Sequence, residues 1–204
     1  MLNQEVFKNI RSSGKKILVV TKYWDTNTTL DIIGNCKKQY DDIWLGLGEN
    51  RIETIREKLL PREKTHFIGN IQSRKIPEIV KYCSYIHSLG SLDHAKKIEK
   101  QGIPIQAFIQ VRLDDTKSIG IEESELGDFL KICRSFHYLT IIGISGMGSI
   151  EAGEQEKRNE FGKLIFLRNT YISDGYVSAG TSQDYKIALE EGVDIVRIGN
   201  KAIY

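Results

Sequence analysis

Residues 176–200 read YVSAGTSQDYKIALEEGVDIVRIGN, in which two short apolar runs flank a segment with helical signals. Both runs are nearly continuous in apolar residues, which is typical of strands that are covered on both faces. Two such strands joined by a helix predict a β-α-β unit, whose strands lie parallel in one sheet. This stretch therefore decides the fold class as α/β.

The segment between the two runs carries the signals of a helix start and a helix stop. Thr181 and Ser182 have the hydroxyl side chains of N-cap residues, and Asp184 stands three positions after Thr181, as in a capping box. Gly192 suits the left-handed conformation that ends many helices. These signals predict a helix between the hydroxyl pair and Gly192.

The same alternation of apolar runs and helical segments extends over the whole chain. The predicted strands are 17–21, 43–47, 66–69, 85–89, 105–111, 141–147, 176–180 and 194–199. Eight such units in 204 residues predict a compact (β/α)8 TIM barrel that forms a single domain over residues 1–204. An open doubly wound sheet is the alternative, but no G-x-G-x-x-G follows the first strand and no P-loop motif occurs.

Charge and cysteine content exclude several classes of function. The 29 basic and 27 acidic residues give a net charge of +2, which provides no electrostatic reason to expect a nucleic-acid partner. The first residues contain no apolar run long enough for a signal peptide or membrane span, so we expect a cytoplasmic protein without a membrane partner. Cys36, Cys83 and Cys133 lack metal-ligand spacing, which predicts reduced thiols and no metal site.

In a barrel, the residues that follow the strands meet at one face, where active sites are built. Lys22 follows the first predicted strand, GEN at 48–50 the second, GTS at 180–182 the seventh and RIGN at 197–200 the eighth. Phosphate groups often bind between the loops after strands 7 and 8 of a barrel, and glycine and hydroxyl residues offer them N–H and O–H donors. The alternative is that the hydroxyl residues only cap a helix and the glycine only forms a turn.

Lys22 is the second component of this predicted site. A lysine at the end of a strand is usually a solvated surface group, and that alternative stays open here. In a pocket, however, its amine forms a Schiff base with a carbonyl compound. A lysine and a phosphate site on one barrel face indicate an aldehyde that carries a phosphate. Pyridoxal 5′-phosphate (PLP) and the sugar phosphates of Schiff-base aldolases both meet this description.

Arg197 and two histidines complete the candidate residues. An arginine against a pyridine nitrogen keeps that nitrogen unprotonated, which fits PLP. The alternative for Arg197 is an ion pair with a carboxylate such as Asp194 or Glu191. His66 and His87 alternate with apolar residues, and this pattern favours core histidines over ligands.

Several motifs together resemble a known family. The fragments VVTKYW, LGEN, HFIGNIQSRK and SAGTSQDYKIALEEGVDIVRIGN stand in the same order and at similar separations as in the pyridoxal phosphate homeostasis proteins of the YggS/PROSC type. The resemblance extends from about Lys16 to Tyr204. It implies a monomeric protein whose fold is related to the barrel domain of alanine racemase, without the second, β-rich domain of that enzyme.

The resemblance also implies roles for individual residues. Lys22 is expected to hold PLP as a Schiff base, Arg197 to approach the pyridine nitrogen, and Asn50 to line the cofactor pocket. The residues expected to hold the phosphate belong to the two loops, and they are Gly180, Thr181, Ser182, Gly199 and Asn200. No catalytic residue is implied.

The chain departs from the usual pattern of this family around the phosphate. Ala179 and Thr181 stand where the family usually has methionine, and Asn200 stands where it prefers threonine or serine. The hydroxyl of Thr181 offers a further phosphate contact, whereas the loss of methionine removes packing around the ring. The helical segments at both ends are also shorter than is usual in the family.

These observations predict a PLP-binding protein that serves PLP homeostasis as a carrier or regulator of the cofactor, without substrate turnover. A racemase of the alanine racemase type needs a second base, normally a tyrosine from another domain or subunit, and we expect no room for that domain here. Two alternatives remain. One is a PLP-dependent enzyme, such as an amino-acid racemase that uses one of the nine tyrosines of this chain, and the other is a Schiff-base lyase of sugar phosphates.

Overall fold

Eight parallel strands form a closed barrel, in which the last strand hydrogen-bonds back to the first. The computed structural model describes residues 1–113, 120–149 and 151–203. The strands are β1 Lys16–Val20, β2 Trp44–Glu49, β3 Thr65–Phe67, β4 Tyr85–Leu89, β5 Ile105–Gln110, β6 Leu139–Ser145, β7 Tyr176–Thr181 and β8 Ile195–Ile198. This closure confirms the predicted (β/α)8 barrel, and the alternative of an open doubly wound sheet is wrong.

All the predicted strands are present, and their bounds differ from the prediction by a few residues at most. β4 has the predicted bounds, whereas β6 begins at Leu139 and ends at Ser145 instead of spanning 141–147. β3 ends at Phe67, and two residues later the chain passes so close to the backbone of Asn50 that Gly69 has no space for a side chain. The apolar pattern thus locates each strand, and contacts with neighbouring strands set its ends.

Helices connect the strands and cover the outside of the barrel. In the described residues the α-helices are α1 Gln4–Ser12, α2 Thr26–Gln39, α3 Ile52–Glu57, α4 Ile76–Tyr82, α5 Leu92–Glu99, α6 Leu126–Cys133, α7 Glu154–Tyr171 and α8 Tyr185–Glu190. Short 3-10 turns occur at Arg62–Lys64, Ser73–Lys75, Glu123–Glu125 and Asn200–Ala202. No helix in the described ranges has the length and apolar character that crossing a bilayer requires.

The start of α8 differs from its prediction. The helix begins at Tyr185 with Asp184 as its N-cap residue, so the expectation that Thr181 and Ser182 cap it is wrong. The contact expected of a capping box is nevertheless present, because the N–H of Thr181 donates to Oδ1 of Asp184 over 2.6 Å. Thr181 itself still belongs to β7, and Gly192 adopts the predicted left-handed conformation with φ of +94°.

Most of the apolar core lies between the barrel and its helices. The residues of β1 show the division, because Ile17 and Val19 belong to this large core, whereas Leu18 packs with Phe108 and Ile195 in a small separate cluster. Alternate residues of a strand face opposite sides of a sheet, so this small cluster lies inside the barrel. The barrel interior is therefore apolar only in part, and polar side chains occupy the remainder.

The three cysteines are free and buried, in agreement with the prediction of reduced core thiols. Burial raises the pKa of the Cys36 and Cys83 thiols to about 12. At the two ends of the described chain, Leu2 and Ile203 form an antiparallel bridge, and the N–H of Asn3 donates to the Ala202 carbonyl over 2.9 Å. These contacts hold α1 against the Asn200–Ala202 turn.

Candidate functional site

A cavity of about 520 Å³ opens at the carboxyl end of the barrel strands. This volume lies in the usual range for sites that hold a small molecule. The residues that the sequence assigns to a cofactor site all line it, and they are Lys22, Asn50, Gly180, Thr181, Ser182, Arg197, Gly199 and Asn200. They come from positions far apart in the chain, so the fold brings them together.

Lys22 stands two residues after the end of β1, at the mouth of this cavity. Its side chain is exposed, and its Nζ lies 4.7 Å from the centroid of the Tyr23 ring. A lysine amine over an aromatic face makes a favourable cation-π contact. The amine is therefore free of any ion pair among the described residues and remains accessible to a molecule that enters the cavity.

A buried ion pair lies directly behind Lys22. Nζ of Lys58, the C-cap residue that follows α3, donates to Oε1 of Glu49 and to the carbonyl of Thr21, both over 2.7 Å. The Thr21 hydroxyl also donates to the same Glu49 oxygen over 2.6 Å. These bonds join the end of β1 to the end of β2, so they fix the backbone that carries Lys22 and Asn50.

Two loops meet at the expected phosphate site. The Gly199 N–H donates to Oγ of Ser182 over 3.1 Å, which connects the loop after β7 to the loop after β8. A Cβ at Gly199 would meet no heavy atom closer than 3.9 Å, so the space beside the Cα of Gly199 is open. Ser182 accepts the bond from Gly199 and keeps its own O–H proton, and a hydroxyl donor at the wall of a cavity suits an anion such as a phosphate.

Thr181 is oriented differently from Ser182. Its N–H and its hydroxyl both donate to Oδ1 of Asp184, over 2.6 and 3.1 Å. Its two donors are thus already used within the loop, although the residue lines the cavity. Of the two adjacent hydroxyl residues, Ser182 is the one placed to reach an anion.

Arg197 forms another wall of the cavity, and its partners are neutral. Nη1 donates to the Ser178 carbonyl over 2.8 Å, and Nη2 donates to the Gly146 carbonyl over 2.9 Å. Burial lowers the pKa of Arg197 to about 10, and the negative charge of Asp184 acts in the opposite direction. The guanidinium stays charged at neutral pH, so it presents a positive charge to the cavity.

The alternative role for Arg197, an ion pair with Asp194 or Glu191, is wrong. Asp194 instead binds Lys15 over 2.9 Å, and Glu191 binds Arg158 over 2.8 Å. Both carboxylates are therefore occupied elsewhere. Within the described part of the chain, no carboxylate forms a salt bridge with Arg197.

His66 and His87 are buried in the barrel, which confirms their prediction as core histidines. They are also connected to the cavity wall: Nδ1 of His66 lies 2.9 Å from Nε2 of His87, and Nδ1 of His87 lies 2.8 Å from Oγ of Ser178. His87 itself lines the cavity. The sequence did not reveal this connection, because the partners lie on strands that are far apart in the chain.

Several further polar residues of the site were not found by sequence reasoning. The cavity is also lined by Asn70, His87, Ser88, Gln110, Ser145 and Asp184, and Lys58 and Ser178 support it from behind. A glutamate within the apolar run WLGLGE does signal that a buried cation is needed. Nothing in the local spacing identifies Lys58 as that cation among the 29 basic residues.

The residues at the cavity walls fit PLP by their chemistry. An amine suits its aldehyde, a hydroxyl suits its phosphate, and a guanidinium suits its ring nitrogen. These groups belong to Lys22, to Ser182 and to Arg197, and all three residues line one cavity. In the residues that the structure describes, no cluster of three or more potential metal ligands occurs.

No model of a protein family matches the chain. Among curated proteins, the pyridoxal phosphate homeostasis protein of Helicobacter pylori is 29% identical over 165 residues, which cover 75% of this chain and 74% of that protein. The protein of the same name from Schizosaccharomyces pombe is 26% identical over 207 residues, covering 93% of this chain and 84% of that protein. The one from Escherichia coli K12 is 24% identical over 195 residues, covering 90% and 82%.

Solved structures show the same fold. PipY of Synechococcus elongatus with PLP bound superposes with a TM-score of 0.77 at 18% identity, covering 98% of this chain and 100% of that chain. Alanine racemase of Clostridium difficile superposes with a TM-score of 0.76 at 14% identity, covering 98% of this chain and 57% of that chain. The chain is thus similar in sequence to curated proteins named pyridoxal phosphate homeostasis protein, and it shares its barrel fold with PipY and with alanine racemase.

Proposed function

We propose that the protein binds PLP at the carboxyl end of its barrel, as a Schiff base with Lys22, and serves PLP homeostasis without turning over a substrate. One observation carries this proposal: all eight residues expected at the cofactor line a single cavity of about 520 Å³. Curated relatives that bear the name pyridoxal phosphate homeostasis protein, and a PLP-bound structure of the same fold, support it.

Different residues of the cavity bind different parts of PLP or form different parts of the wall. Ser182 holds the phosphate with its hydroxyl, Gly199 lies against it and orients that hydroxyl through its N–H, and Asn200 adds its carboxamide at the exposed rim. Gly180 and Thr181 shape the loop between β7 and α8, and Asn50 lines the side of the cavity that follows β2. Lys22 supplies the amine for the aldehyde that PLP brings.

Two features favour holding PLP over catalysis on it. The positive charge of Arg197 opposes protonation of the ring nitrogen, and an unprotonated ring is a weaker electron sink for carbanions. The amine of Lys22 lies exposed at the cavity mouth, where other amines from solution can reach the bound aldehyde and exchange with it. Release by such exchange suits a carrier of the cofactor.

The proposal includes a monomer that acts in the cytoplasm, with residues 1–204 forming one domain. The closed barrel supports the single domain, and the three buried, free thiols support the cytoplasmic location. Light scattering during size-exclusion chromatography is expected to give the mass of one chain, 23.3 kDa. A stable dimer in the presence of PLP would contradict the monomeric part of the proposal.

The covalent attachment is tested by absorbance and by trapping. Purified protein mixed with PLP is expected to turn yellow, and borohydride reduction followed by peptide mapping is expected to place the label on Lys22. Lys22→Ala is expected to lose both signals, whereas Lys201→Ala, which changes an exposed lysine beside the site, is expected to keep them. A protein that does not turn yellow with PLP, or a label that persists in Lys22→Ala, would overturn the proposal.

A second candidate function, an amino-acid racemase, rests on one contact. The Tyr23 ring lies 4.7 Å from Nζ of Lys22, so a second titratable group stands next to the amine. The test is interconversion of alanine enantiomers by the PLP-loaded protein. A rate that depends on both Lys22 and the Tyr23 hydroxyl, compared through Tyr23→Phe, would replace the carrier function with the enzymatic one.

A further inference from the structure

Four polar side chains form a continuous hydrogen-bonded chain through the interior of the barrel. His66 of β3 contacts His87 of β4 over 2.9 Å, and His87 contacts the hydroxyl of Ser178 on β7 over 2.8 Å. That hydroxyl lies 3.3 Å from Nη1 of Arg197 on β8, which also donates to the Ser178 carbonyl over 2.8 Å. The chain thus begins in the buried core and ends at a wall of the cavity.

The chemistry of Arg197 sets the direction of every bond in this chain. A guanidinium can only donate, so the Ser178 hydroxyl accepts from Nη1. Ser178 is fully buried, and among the described residues Nδ1 of His87 is the group in hydrogen-bond contact that can accept the hydroxyl proton, so the hydroxyl donates to it. A neutral His87 that accepts at Nδ1 carries its proton on Nε2 and donates it to Nδ1 of His66. His66 then carries its proton on Nε2, so both rings are held in one tautomer.

The far end of this hydrogen-bonded chain is Nε2 of His66. Nε2 of His66 is buried without a well-formed hydrogen bond, and only the nearby backbone of Leu45 offers it a partial one. A polar atom in that position has an energetic cost, which the ordered chain must offset. Ring stacking fixes the planes: His66 lies 4.2 Å from Tyr85 and His87 lies 4.3 Å from Phe108, measured between ring centroids.

We propose that His87, acting through Ser178, is a positioning residue that aims the Arg197 guanidinium at the ring nitrogen of PLP. This inference rests on the proposed function. Two carbonyls fix two nitrogens of Arg197, and the Ser178 hydroxyl oxygen adds a third acceptor. By accepting the hydroxyl proton, Nδ1 of His87 sets the rotation of the O–H bond, so that a lone pair of the oxygen faces Arg197.

Protonation of His87 would break this arrangement, because both ring nitrogens would then donate. The Ser178 hydroxyl would lie between two donors, and its own buried proton would lose its acceptor. The surroundings keep the rings neutral. Burial lowers the pKa of His66 to about 3, and burial also lowers the pKa of His87, with further contributions from His66 and Arg197. The charged groups near the two rings, Lys64 and Arg197, are both cations and act in the same direction.

The direction of the hydrogen bonds that link His66, His87, Ser178 and Arg197 can be measured without any cofactor. Nitrogen-15 spectra of the histidine rings in the wild-type protein at neutral pH are expected to show His66 and His87 as neutral rings with the proton on Nε2. His94 and His137 lie outside the barrel and serve as reference signals. A His87 ring with its proton on Nδ1, or a charged His87, would overturn the inference whether or not the protein binds PLP.

The effect on Arg197 is measured with variants in the presence of PLP. Ser178→Ala and His87→Leu remove one member of the chain each, and each is expected to weaken PLP binding about 3- to 10-fold, the effect of one hydrogen bond. Both are also expected to shift the pH at which the Lys22 adduct changes colour. His87→Asn places a carboxamide oxygen near the position of Nδ1, so it is expected to restore affinity to within about twofold of wild type.

The outcomes separate this inference from the proposed function. If wild-type protein does not form the Lys22 adduct, the proposed function fails and the ring spectra still decide the direction of the chain. If wild-type protein binds PLP and Ser178→Ala, while folded, matches it in affinity and in colour transition, the inference fails alone. If His87→Asn binds PLP no more tightly than His87→Leu, that result also contradicts the inference. Ser178→Ala changes one small side chain, so it keeps the test valid if His87→Leu does not fold.

Discussion

Two lysines at the same end of the barrel have opposite environments. Lys22 is exposed at the cavity mouth, whereas Lys58 is 6% exposed and bound to Glu49 and to the carbonyl of Thr21. A buried cation that is fully paired is fixed in place and unavailable for reaction. The accessible lysine is therefore the one suited to covalent chemistry, and the buried lysine holds the backbone beside it.

Ser182 provides the first prediction about single residues. Ser182→Ala is expected to weaken PLP binding by about 1–3 kcal/mol, because a charge-assisted hydrogen bond to the phosphate is lost. Thr181→Val is the matched control, and it is expected to have a smaller effect because the Thr181 donors already bind Asp184. Fluorescence or absorbance titration with PLP measures both. A larger effect of Thr181→Val would mean that the phosphate contacts are assigned to the wrong residue.

The buried ion pair gives the second prediction. Lys58→Met leaves the Glu49 carboxylate buried without its partner, so it is expected to lower the free energy of unfolding by about 3–5 kcal/mol. The double variant with Glu49→Leu is expected to lose less than the two single variants together. Urea unfolding of the wild-type protein, the two single variants and the double variant gives the coupling energy between Lys58 and Glu49 directly. Strict additivity would show that the pair does not stabilise the barrel.

At the scale of elements, the turn from β7 into α8 depends on one glycine. Gly180 has φ of +76°, and a Cβ at this position would lie 2.6 Å from the Cβ of Ala188 on α8. Any side chain would therefore meet both an unfavourable backbone conformation and a helix that is already in contact. The close approach of α8 to β7 brings the loop with Ser182 to the cavity.

Gly180→Ala is accordingly expected to destabilise the protein by about 1–3 kcal/mol, through strain and overpacking. Gly34→Ala is its control, because Gly34 is exposed on α2 and a Cβ added there would have no atom within 4 Å. That variant is expected to gain up to about 1 kcal/mol from helix propensity. Equal urea midpoints for the two variants would contradict the role given to Gly180.

At the scale of the whole molecule, barrel closure buries two histidines in neutral form. The unfolded chain binds protons on them near pH 6.5, whereas burial lowers the pKa of His66 to about 3 in the folded protein and lowers that of His87 as well. Between these values the unfolded state binds more protons, so stability falls as the pH falls. The stabilisation that comes from holding the two rings neutral is complete above about pH 6.5 and is lost progressively below it.

The free energy of unfolding is therefore expected to fall by about 1.4 kcal/mol per pH unit for each histidine, between about pH 6 and pH 4.5. Carboxylates such as Asp25 and Asp42, whose pKa values lie below the ordinary 3.8, contribute only at lower pH. Urea midpoints measured across this window test the expectation. Stability that stays constant down to pH 4.5 would show that the two rings are not held neutral.

The sequence by itself determined the barrel, the order of its strands and the residues at the strand ends. Apolar periodicity and turn residues are local signals, so they locate β4 at Tyr85–Leu89 and place Lys22 and the GTS loop without reference to the rest of the chain. The resemblance to a known family then indicated which of these residues belong to a PLP site. The start of α8 was less well predicted, because Asp184 is its N-cap residue and binds the N–H of Thr181, which still belongs to β7.

Only the tertiary structure decided the partners of the polar side chains. Glu49 could pair with any of many cations, and its partner is Lys58 because α3 ends behind β2. Arg197 binds two carbonyls and a serine, and through that serine it is connected to His87 on a strand about a hundred residues earlier. Closure of the barrel brings such residues together and removes them from water, so burial makes each polar group require a partner that the local sequence does not specify.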